Sequence, residues 1–272
     1  MTLVNGIPNI GFGTSDRTGE EDMRAILYAL EIGYRHLDTA QTYASEGHCG
    51  EALRRSGLKP SEVFVTTKIT HPYCHGGGKL IDSLKRSCDT MGLDRVDLCL
   101  IHWPVSPQGD LPMEIYLPEL AEAQEQGLAR LIGISNFTIA DTERALSILG
   151  PNRIATNQVE RHPLLRNQKL VDFSVSRNIA ITCYLPLARG RCAGVPVIEE
   201  IARAHNATPH QIALAMSMAE GHIVIPTSRH PERIAENLAA RLIELAPEEL
   251  SLLKTADRGE RQINPVWSPM WD

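Results

Sequence analysis

The sequence predicts an α/β protein built as a (β/α)8 TIM barrel, and three observations favour this fold. The 272 residues contain eight strand-like stretches that alternate with helix-like ones, and eight such units in about 250 residues close a barrel. The strands are short and almost wholly apolar, as expected of parallel strands that are buried on both faces. No strand runs into a helix through a Gly-x-Gly-x-x-Gly turn, which disfavours a doubly wound sheet. We expect residues 1–272 to form one barrel domain.

The elements follow from hydrophobic periodicity and from turn and cap signals. The pair Asn5-Gly6 between Leu3-Val4 and Ile7 predicts an N-terminal β-hairpin. The barrel strands are predicted at residues 9–14, 36–38, 63–68, 96–102, 131–135, 155–159, 180–184 and 223–225. Helices are predicted at residues 20–32, 47–56, 79–91, 114–126, 167–177, 197–205 and 231–239. The helix after the fifth strand begins at Thr138, with Asp141 in the position of a capping box.

Two further helices are predicted outside the eight strand–helix units. One spans residues 210–219 after the seventh strand and opens on Thr208-Pro209, with Gln211 at the capping-box position. The other spans residues 247–256 near the C-terminus.

Composition excludes several classes of protein. A formal charge of −6 without a Lys/Arg cluster argues against nucleic-acid binding. No apolar run approaches the roughly 18–20 residues of a membrane span, and residues 1–14 lack the basic start and apolar core of a secretory signal. The six cysteines show neither a Cys-x-x-Cys pair nor a disulfide-framework spacing. We expect a cytoplasmic monomer with reduced thiols and without nucleic-acid or membrane partners.

One loop offers metal-ligating side chains. The segment His71-Pro-Tyr-Cys74-His75 could hold a metal ion, but it ends in Gly76-Gly77-Gly78 and contains no helix that would fix the ligand geometry. A mobile loop is the favoured interpretation, and no metal is predicted.

Four polar residues are predicted to meet at one mouth of the barrel, because active sites of this fold lie at the carboxyl ends of the strands. Asp38 ends the second strand, Tyr43 lies in the loop that follows, Lys68 ends the third strand and His102 the fourth. An alternative is a structural Asp–Lys pair beside a hydrogen-bonded core histidine. That alternative explains two of the residues but gives no reason for Tyr43 and His102 to converge on them.

The four side chains suit the protonation of a carbonyl group that is being reduced. A buried Lys68 needs a counter-charge, which Asp38 can supply from the neighbouring strand. An ammonium beside a phenol stabilises the phenolate and makes Tyr43 a better proton donor, while a neutral His102 can orient the reacting oxygen. None of them is a plausible nucleophile for acyl transfer, and carbonyl reduction requires a hydride donor.

The chain closely resembles the aldo-keto reductases, a family that carries Asp, Tyr, Lys and His on this barrel. The resemblance runs from Ile10-Gly-Phe-Gly-Thr14 to Asn237. It depends on the order and spacing of Asp38-Thr-Ala-Gln-Thr-Tyr43, Glu46 with Gly50-Glu-Ala-Leu53, Thr66-Thr-Lys68, Asp97-Leu-Cys-Leu-Ile-His-Trp-Pro104, Ile132-Gly-Ile-Ser-Asn-Phe137, Asn157-Gln-Val-Glu160 and Ile225-Pro226. Within the family, His205-Asn-Ala-Thr-Pro209 and the ending Trp271-Asp272 are most similar to the bacterial 2,5-diketo-D-gluconate reductase B group.

The resemblance implies NADPH as the cofactor, with NADH bound more weakly. Its implied partners are Thr14, Asp38, Ser135, Asn136, Gln158, Tyr184, Pro186, Leu187, Arg189, Thr227, Ser228, Arg233, Glu236 and Asn237. Among them, Tyr184 would stack on the nicotinamide ring and Arg233 would lie near the 2′-phosphate. Many relatives have Lys where this chain has Thr227, which weakens the expected preference for NADPH; compensation by Arg229 stays open.

The resemblance also implies a small-molecule carbonyl substrate, either an aldehyde or an α-dicarbonyl such as methylglyoxal or 2,5-diketo-D-gluconate. Trp103, His71 and Ser15 are the predicted substrate-binding residues, and Trp267 and Trp271 could cover the mouth. Two alternatives are a Schiff-base aldolase that uses a lysine nucleophile and a nucleotide-binding sensory protein with slow turnover.

Overall fold

A parallel sheet that closes on itself forms the centre of the structure, a computed structural model that describes residues 2–15 and 18–272. The strands in the described residues are β1 (Leu3–Val4), β2 (Ile7–Pro8), β3 (Phe12–Gly13), β4 (His36–Asp38), β5 (Phe64–Ile69), β6 (Val96–Ile101), β7 (Val105–Ser106), β8 (Gly109–Asp110), β9 (Ala129–Ser135), β10 (Ile154–Glu160), β11 (Ala180–Tyr184) and β12 (Ile223–Val224). The order in the sheet is β3-β4-β5-β6-β9-β10-β11-β12. Val224 N donates to Asn9 O at 3.0 Å, and Gly11 N donates to Val224 O at 2.8 Å. The first and last strands therefore meet, and the predicted barrel is confirmed.

Helices surround the sheet in the predicted order. Within the described residues they are α1 (Glu20–Glu31), α2 (Glu46–Ser56), α3 (Lys79–Met91), α4 (Met113–Glu125), α5 (Ile139–Leu149), α6 (Gln168–Ser176), α7 (Pro196–Ala204), α8 (Pro209–Ala219), α9 (Pro231–Ala239) and α10 (Pro247–Leu253). The predicted caps are present, because Thr138 accepts from Asp141 N and Thr208 accepts from Gln211 N, each at 3.2 Å. In this part of the chain, no helix is both long and apolar enough to cross a membrane.

The structure differs from the prediction in three places. The first barrel strand is shorter than residues 9–14, because Asn9 and Gly11 bond to Val224 and the ladder with β4 begins only at Phe12. The hairpin β7–β8 was not predicted, since its strands are only two residues long. The terminal helix leaves the α-helical form after Leu253 and continues as a 3-10 turn.

The N-terminal hairpin lies at the amino end of the barrel. Asn5 and Gly6 adopt φ values of 49° and 78°, as the predicted tight turn requires. Beyond this turn, Ile7 is fully buried and packs in one cluster with Leu98 and Leu100 of β6. The hairpin and this apolar cluster close the amino end of the barrel. A ligand can therefore enter only from the carboxyl ends of the strands.

Candidate active site

A cavity of about 650 Å³ opens at the carboxyl ends of the barrel strands, where the sequence predicted the active site. The predicted site residues that line it are Thr14, Ser15, Asp38, Tyr43, His102, Trp103, Ser135, Asn136, Gln158, Tyr184, Arg189 and Thr227. Strand ends and the loops beyond them supply these side chains, so residues far apart in the sequence share one wall. A concave site with a few convergent polar groups is the usual form of an enzyme's substrate pocket.

A buried ion pair lies at the base of this cavity. Lys68 Nζ is 2.5 Å from Asp38 Oδ1, and the two side chains are only 1% and 2% exposed. Lys68 also donates to Thr39 O at 2.9 Å. Burial alone would lower the pKa of Lys68, but the Asp38 charge and the neighbouring Tyr43 raise it above its usual value. The lysine is therefore a permanent ammonium ion at neutral pH.

Tyr43 and His102 lie on the cavity side of this pair. Lys68 Nζ is 3.5 Å from Tyr43 Oη and 4.8 Å from the centre of the phenol ring. The His102 ring meets the Tyr43 ring edge to face, with 5.6 Å between their centres and 81° between their planes. Burial and the Lys68 charge lower the pKa of His102 to about 3, so the imidazole is neutral. A phenol and a neutral imidazole thus face the cavity, and an ammonium lies directly behind the phenol.

Amide and hydroxyl side chains form the opposite wall. Gln158 Nε2 donates to Asp38 Oδ2 at 2.7 Å, and Ser135 Oγ donates to Gln158 O at 2.8 Å. Tyr184 Oη donates to Asn136 Oδ1 at 2.7 Å. Nothing in the sequence indicated the bond between Gln158 and Asp38, which joins the implied nicotinamide subsite to the Asp38–Lys68 ion pair.

Ser45 supports the site from behind. Its hydroxyl is fully buried and lies 2.9 Å from Thr14 Oγ1 and 2.9 Å from Thr39 Oγ1. Thr14 in turn donates through Oγ1 to Asp38 O at 3.0 Å. Ser45 therefore ties the loops after β3 and β4 to each other.

A second cavity of about 300 Å³ adjoins the first. The implied cofactor partners that line it are Pro186, Leu187, Arg189, Thr227, Ser228, Arg233, Glu236 and Asn237, and Arg189 and Thr227 line both cavities. Leu185 and Arg189 adopt left-handed φ values of 46° and 52°, a conformation that costs free energy for such residues and often marks ligand-binding loops. The two cavities make one elongated cleft, with amide groups at one end and an arginine at the other, which fits a dinucleotide.

Arg229 is engaged with an aspartate across this cleft. Its guanidinium donates through Nε to Asp22 Oδ1 at 2.7 Å and through Nη2 to Asp22 Oδ2 at 3.2 Å. The carboxylate is 5% exposed and the arginine 54%. Many relatives have a lysine in place of Thr227, and compensation for that lysine by Arg229 stays open.

The predicted substrate residues separate into two groups. Ser15 and Trp103 line the main cavity, together with Ile263, which sequence reasoning missed. His71 is not among the described residues that line either cavity, and its role in substrate binding stays a prediction. Throughout residues 2–15 and 18–272, no group of three His, Cys, Asp or Glu side chains is arranged to hold a metal ion.

The predicted cover of the mouth is present. Trp267 and Trp271 both meet the ring of Trp103, at centre-to-centre distances of 5.0 and 6.0 Å. Trp267 and Trp271 lie 164 and 168 residues beyond Trp103 in the sequence, so the sequence indicated them as covers but did not indicate that they pack on Trp103.

Comparisons with known proteins give the same family throughout. A model of the aldo/keto reductase family matches residues 3–258. Methylglyoxal reductase DkgB of Salmonella typhi is 43% identical over 267 residues, which cover 98% of this chain and 99% of that protein. The corresponding protein of Yersinia pestis is 42% identical with the same coverage.

Solved structures of lower sequence identity share the fold. The aldose reductase of Schistosoma japonicum has a TM-score of 0.88 at 32% identity, covering 96% of this chain and 92% of that one. A structure provisionally assigned as a 2,5-diketo-D-gluconic acid reductase B has a TM-score of 0.92 at 34% identity, covering 99% and 96%.

Proposed function

Because this chain belongs to the aldo/keto reductase family, we propose that it reduces small aldehydes and α-dicarbonyls with NADPH and that Tyr43 is the general acid. Family membership makes the protein an NAD(P)H-dependent carbonyl reductase. The choice of NADPH, the identity of the acid and the substrate class are the proposed parts.

One observation carries the assignment of the acid: the continuous contact from Asp38 through Lys68 to Tyr43, at 2.5 and 3.5 Å. The Tyr43 hydroxyl gives its proton to the carbonyl oxygen as that oxygen gains charge. Lys68 stabilises the phenolate left behind, and Asp38 keeps the lysine charged and in place. His102, neutral at the pH of the cell, hydrogen-bonds the same oxygen and orients it.

The cleft supplies the groups that would hold the cofactor. Ser135, Asn136, Gln158 and Tyr184 line the main cavity and Arg233 lines the adjoining one. The first three would bind the carboxamide of a nicotinamide, Tyr184 would stack on its ring, and Arg233 would pair with a phosphate at the far end. When bound, the nicotinamide supplies the hydride for the carbonyl carbon.

The two alternatives gain no support. A Schiff-base aldolase needs a neutral lysine amine, but the pKa of Lys68 is raised above its usual value once the opposing effect of burial is included. A sensory protein with slow turnover would not need the complete set of Asp38, Tyr43, Lys68 and His102.

Small substrates fit the proposal better than large flat ones. Relatives in Salmonella typhi and Yersinia pestis are named as methylglyoxal reductases, and we carry that substrate class over to this chain. The small side chain of Ser15 lines the cavity of about 650 Å³, and Trp267 packs against the ring of Trp103, which lines the same cavity. A second carbonyl beside the reacting one withdraws electrons and favours attack at the neighbouring carbon.

Steady-state oxidation of NADPH and NADH tests the proposal directly. The panel contains methylglyoxal, a simple aldehyde, 2,5-diketo-D-gluconate and a 3-ketosteroid. We expect turnover with NADPH and a higher kcat/KM for methylglyoxal than for the steroid. A higher kcat/KM for the steroid would contradict the substrate class, and the absence of turnover with every carbonyl would contradict the function.

A further inference from the structure

A buried carboxylate lies just outside the catalytic cavity, and the proposed reaction gives it no task. Glu160 is the last residue of β10, two positions after Gln158, and it is fully buried. Burial alone would raise the pKa of Glu160, but hydrogen bonds from His162 and from two backbone amides lower it. Burying an ionised carboxylate is unfavourable unless its oxygens are hydrogen-bonded, so the partners of Glu160 indicate its role.

Those partners belong mainly to the C-terminal segment, residues 257–272. Oε1 of Glu160 accepts from Gln262 N at 2.8 Å, and Oε2 accepts from Ile263 N at 2.7 Å. His162 Nε2 lies 3.1 Å from Oε1. A single carboxylate therefore holds two consecutive backbone amides, which sets both the position and the direction of the segment.

A second connection strengthens this attachment. The carbonyl of Glu160 accepts from Asn167 Nδ2 at 2.6 Å, and Asn167 Oδ1 accepts from Arg261 Nη2 at 2.9 Å. The guanidinium of Arg261 lies over the Trp271 ring, 3.8 Å from its centre. Two hydrogen bonds and one cation–π contact thus connect the backbone of Glu160 to Trp271.

The held segment contributes directly to the substrate end of the cavity. Ile263, whose amide Glu160 binds, lines the cavity. Further along, Trp271 Nε1 donates to Asn264 Oδ1 at 2.8 Å, which folds the segment back on itself. Trp267 then packs edge to face on Trp103, with 72° between the two ring planes.

Elsewhere the segment is attached mainly near its two ends. Arg258 N and Glu260 N donate to Leu164 O at 3.2 and 3.0 Å. The Asp272 carboxylate accepts from Ile139 N at 3.0 Å.

Residues 257–272 contain neither helix nor strand. Val266 and Met270 are 106% and 94% exposed. A stretch with little buried apolar surface and no regular structure has low local stability. Its position therefore depends on the few points at which it is attached.

We propose that Glu160 is a positioning residue that holds the C-terminal segment, so that Ile263 lines the substrate pocket and Trp267 and Trp271 pack against the Trp103 wall of that pocket. This inference rests on the proposed function, because the wall faces the carbonyl substrate. The residue acts on substrate binding through the segment and touches no reacting atom.

Glu160→Gln tests the proposal with the smallest change in size. The side-chain NH2 of the glutamine would face one of the two backbone N–H groups that Glu160 now accepts, those of Gln262 and Ile263. One of these two hydrogen bonds is therefore lost, and the negative charge is removed. Loss of a charge-assisted hydrogen bond changes an equilibrium by roughly tenfold or more. We expect KM for methylglyoxal to rise by about that factor, with little change in kcat and none in the Kd of NADPH.

Tryptophan fluorescence gives a readout that needs no turnover. The chain has three tryptophans, and all of them lie in the cluster at the mouth. Release of the segment exposes Trp267 and Trp271, so acrylamide should quench the emission of Glu160→Gln more strongly than that of the wild type.

Glu249→Gln is the matched control. Glu249 also accepts a backbone amide, Ala246 N, at 2.8 Å and lies 2.8 Å from a histidine, His205 Nε2. It lies at the start of α10 and not at the mouth. We expect this variant to keep the wild-type KM and the wild-type quenching.

A folded Glu160→Gln with unchanged KM and quenching would overturn the proposal. An equal rise in KM and in the Kd of NADPH would overturn it too, since the effect would not be confined to the substrate wall. If Glu160→Gln does not fold, Glu160→Asp replaces it with the same expected changes, because the shorter side chain withdraws the carboxylate. Wild-type protein without carbonyl turnover would contradict the proposed function, while quenching would still test the attachment.

Discussion

The catalytic end and the adenosine end of the cleft are built in different ways. At the catalytic end, Asp38 and Lys68 are almost wholly buried, and both carboxylate oxygens have partners within 2.7 Å. At the adenosine end, Arg233 and Glu236 lie exposed on α9. The difference teaches that Asp38 and Lys68 are preorganised as part of the core, whereas Arg233 and Glu236 can change without loss of folding.

The largest expected effect comes from Lys68→Met, which should damage both activity and folding. It leaves the Asp38 carboxylate buried without its counter-charge, a change that costs roughly 3–5 kcal/mol. We expect the free energy of unfolding in urea to fall by about that amount and kcat to fall at least a hundredfold or so. The double variant Asp38→Asn/Lys68→Met separates the two effects, since it should regain stability but not activity. Wild-type stability in the single variant would show that the pair is not a buried unit.

Tyr43→Phe should affect activity alone. Removal of the proton donor typically costs a factor of roughly 10²–10⁴, so kcat should fall by that much while the Kd of NADPH and the urea midpoint stay unchanged. Tyr28→Phe, at a half-buried tyrosine of α1, is the control and should keep full turnover. If Tyr43→Phe kept more than about a tenth of the wild-type kcat, a different residue would be the acid.

Arg233→Ala probes the opposite end, where a moderate and specific effect is expected. A charge-assisted phosphate contact contributes on the order of 1.5–3 kcal/mol, so NADPH should bind about tenfold more weakly or worse, and NADH much less so. Fluorescence titration of both cofactors measures the difference, and urea unfolding should show no loss of stability. Arg203→Ala, at an exposed arginine of α7, is the control; equal losses for both cofactors in Arg233→Ala would contradict the assignment.

The smallest effect concerns pH. The pKa of His102 is lowered to about 3 by burial and by the Lys68 charge, so kcat/KM should show no step from this histidine between about pH 6 and 8. The unfolded chain has a histidine pKa near 6.5 and binds more protons below that value. His102 should therefore reduce stability as the pH falls from about 6.5 towards 3, and His102→Gln should show a weaker dependence in urea unfolding at several pH values.

Most of the fold could be predicted because its signals are local. Apolar strands bounded by loops, the Asn5-Gly6 turn and the capping threonine Thr138 each act over a few residues, and the structure has these elements within a few positions of their predicted bounds. The errors fall where local signals are weak. The two-residue strands of β7–β8 are too short for periodicity, and the bonds of residues 9–11 depend on the last strand.

Only part of the candidate site could be predicted from the sequence in this way. Asp38 and Lys68 could be brought together from sequence, because parallel neighbouring strands end at the same edge of a barrel. Chain topology alone therefore placed the catalytic end of the cleft. No local pattern indicated the exposed Arg233 as a cofactor residue. Only the resemblance to a known family did so.

Contacts between distant segments lay beyond the reach of any local pattern. Gln158 and Asp38 are 120 residues apart, Arg229 and Asp22 are 207 apart, and Ile263 and Glu160 are 103 apart. Each of these contacts depends on how the barrel closes and on the paths that its loops then take. Periodicity and capping energies act within a turn or two of the chain, whereas such contacts form only when packing of the whole barrel brings the loops together.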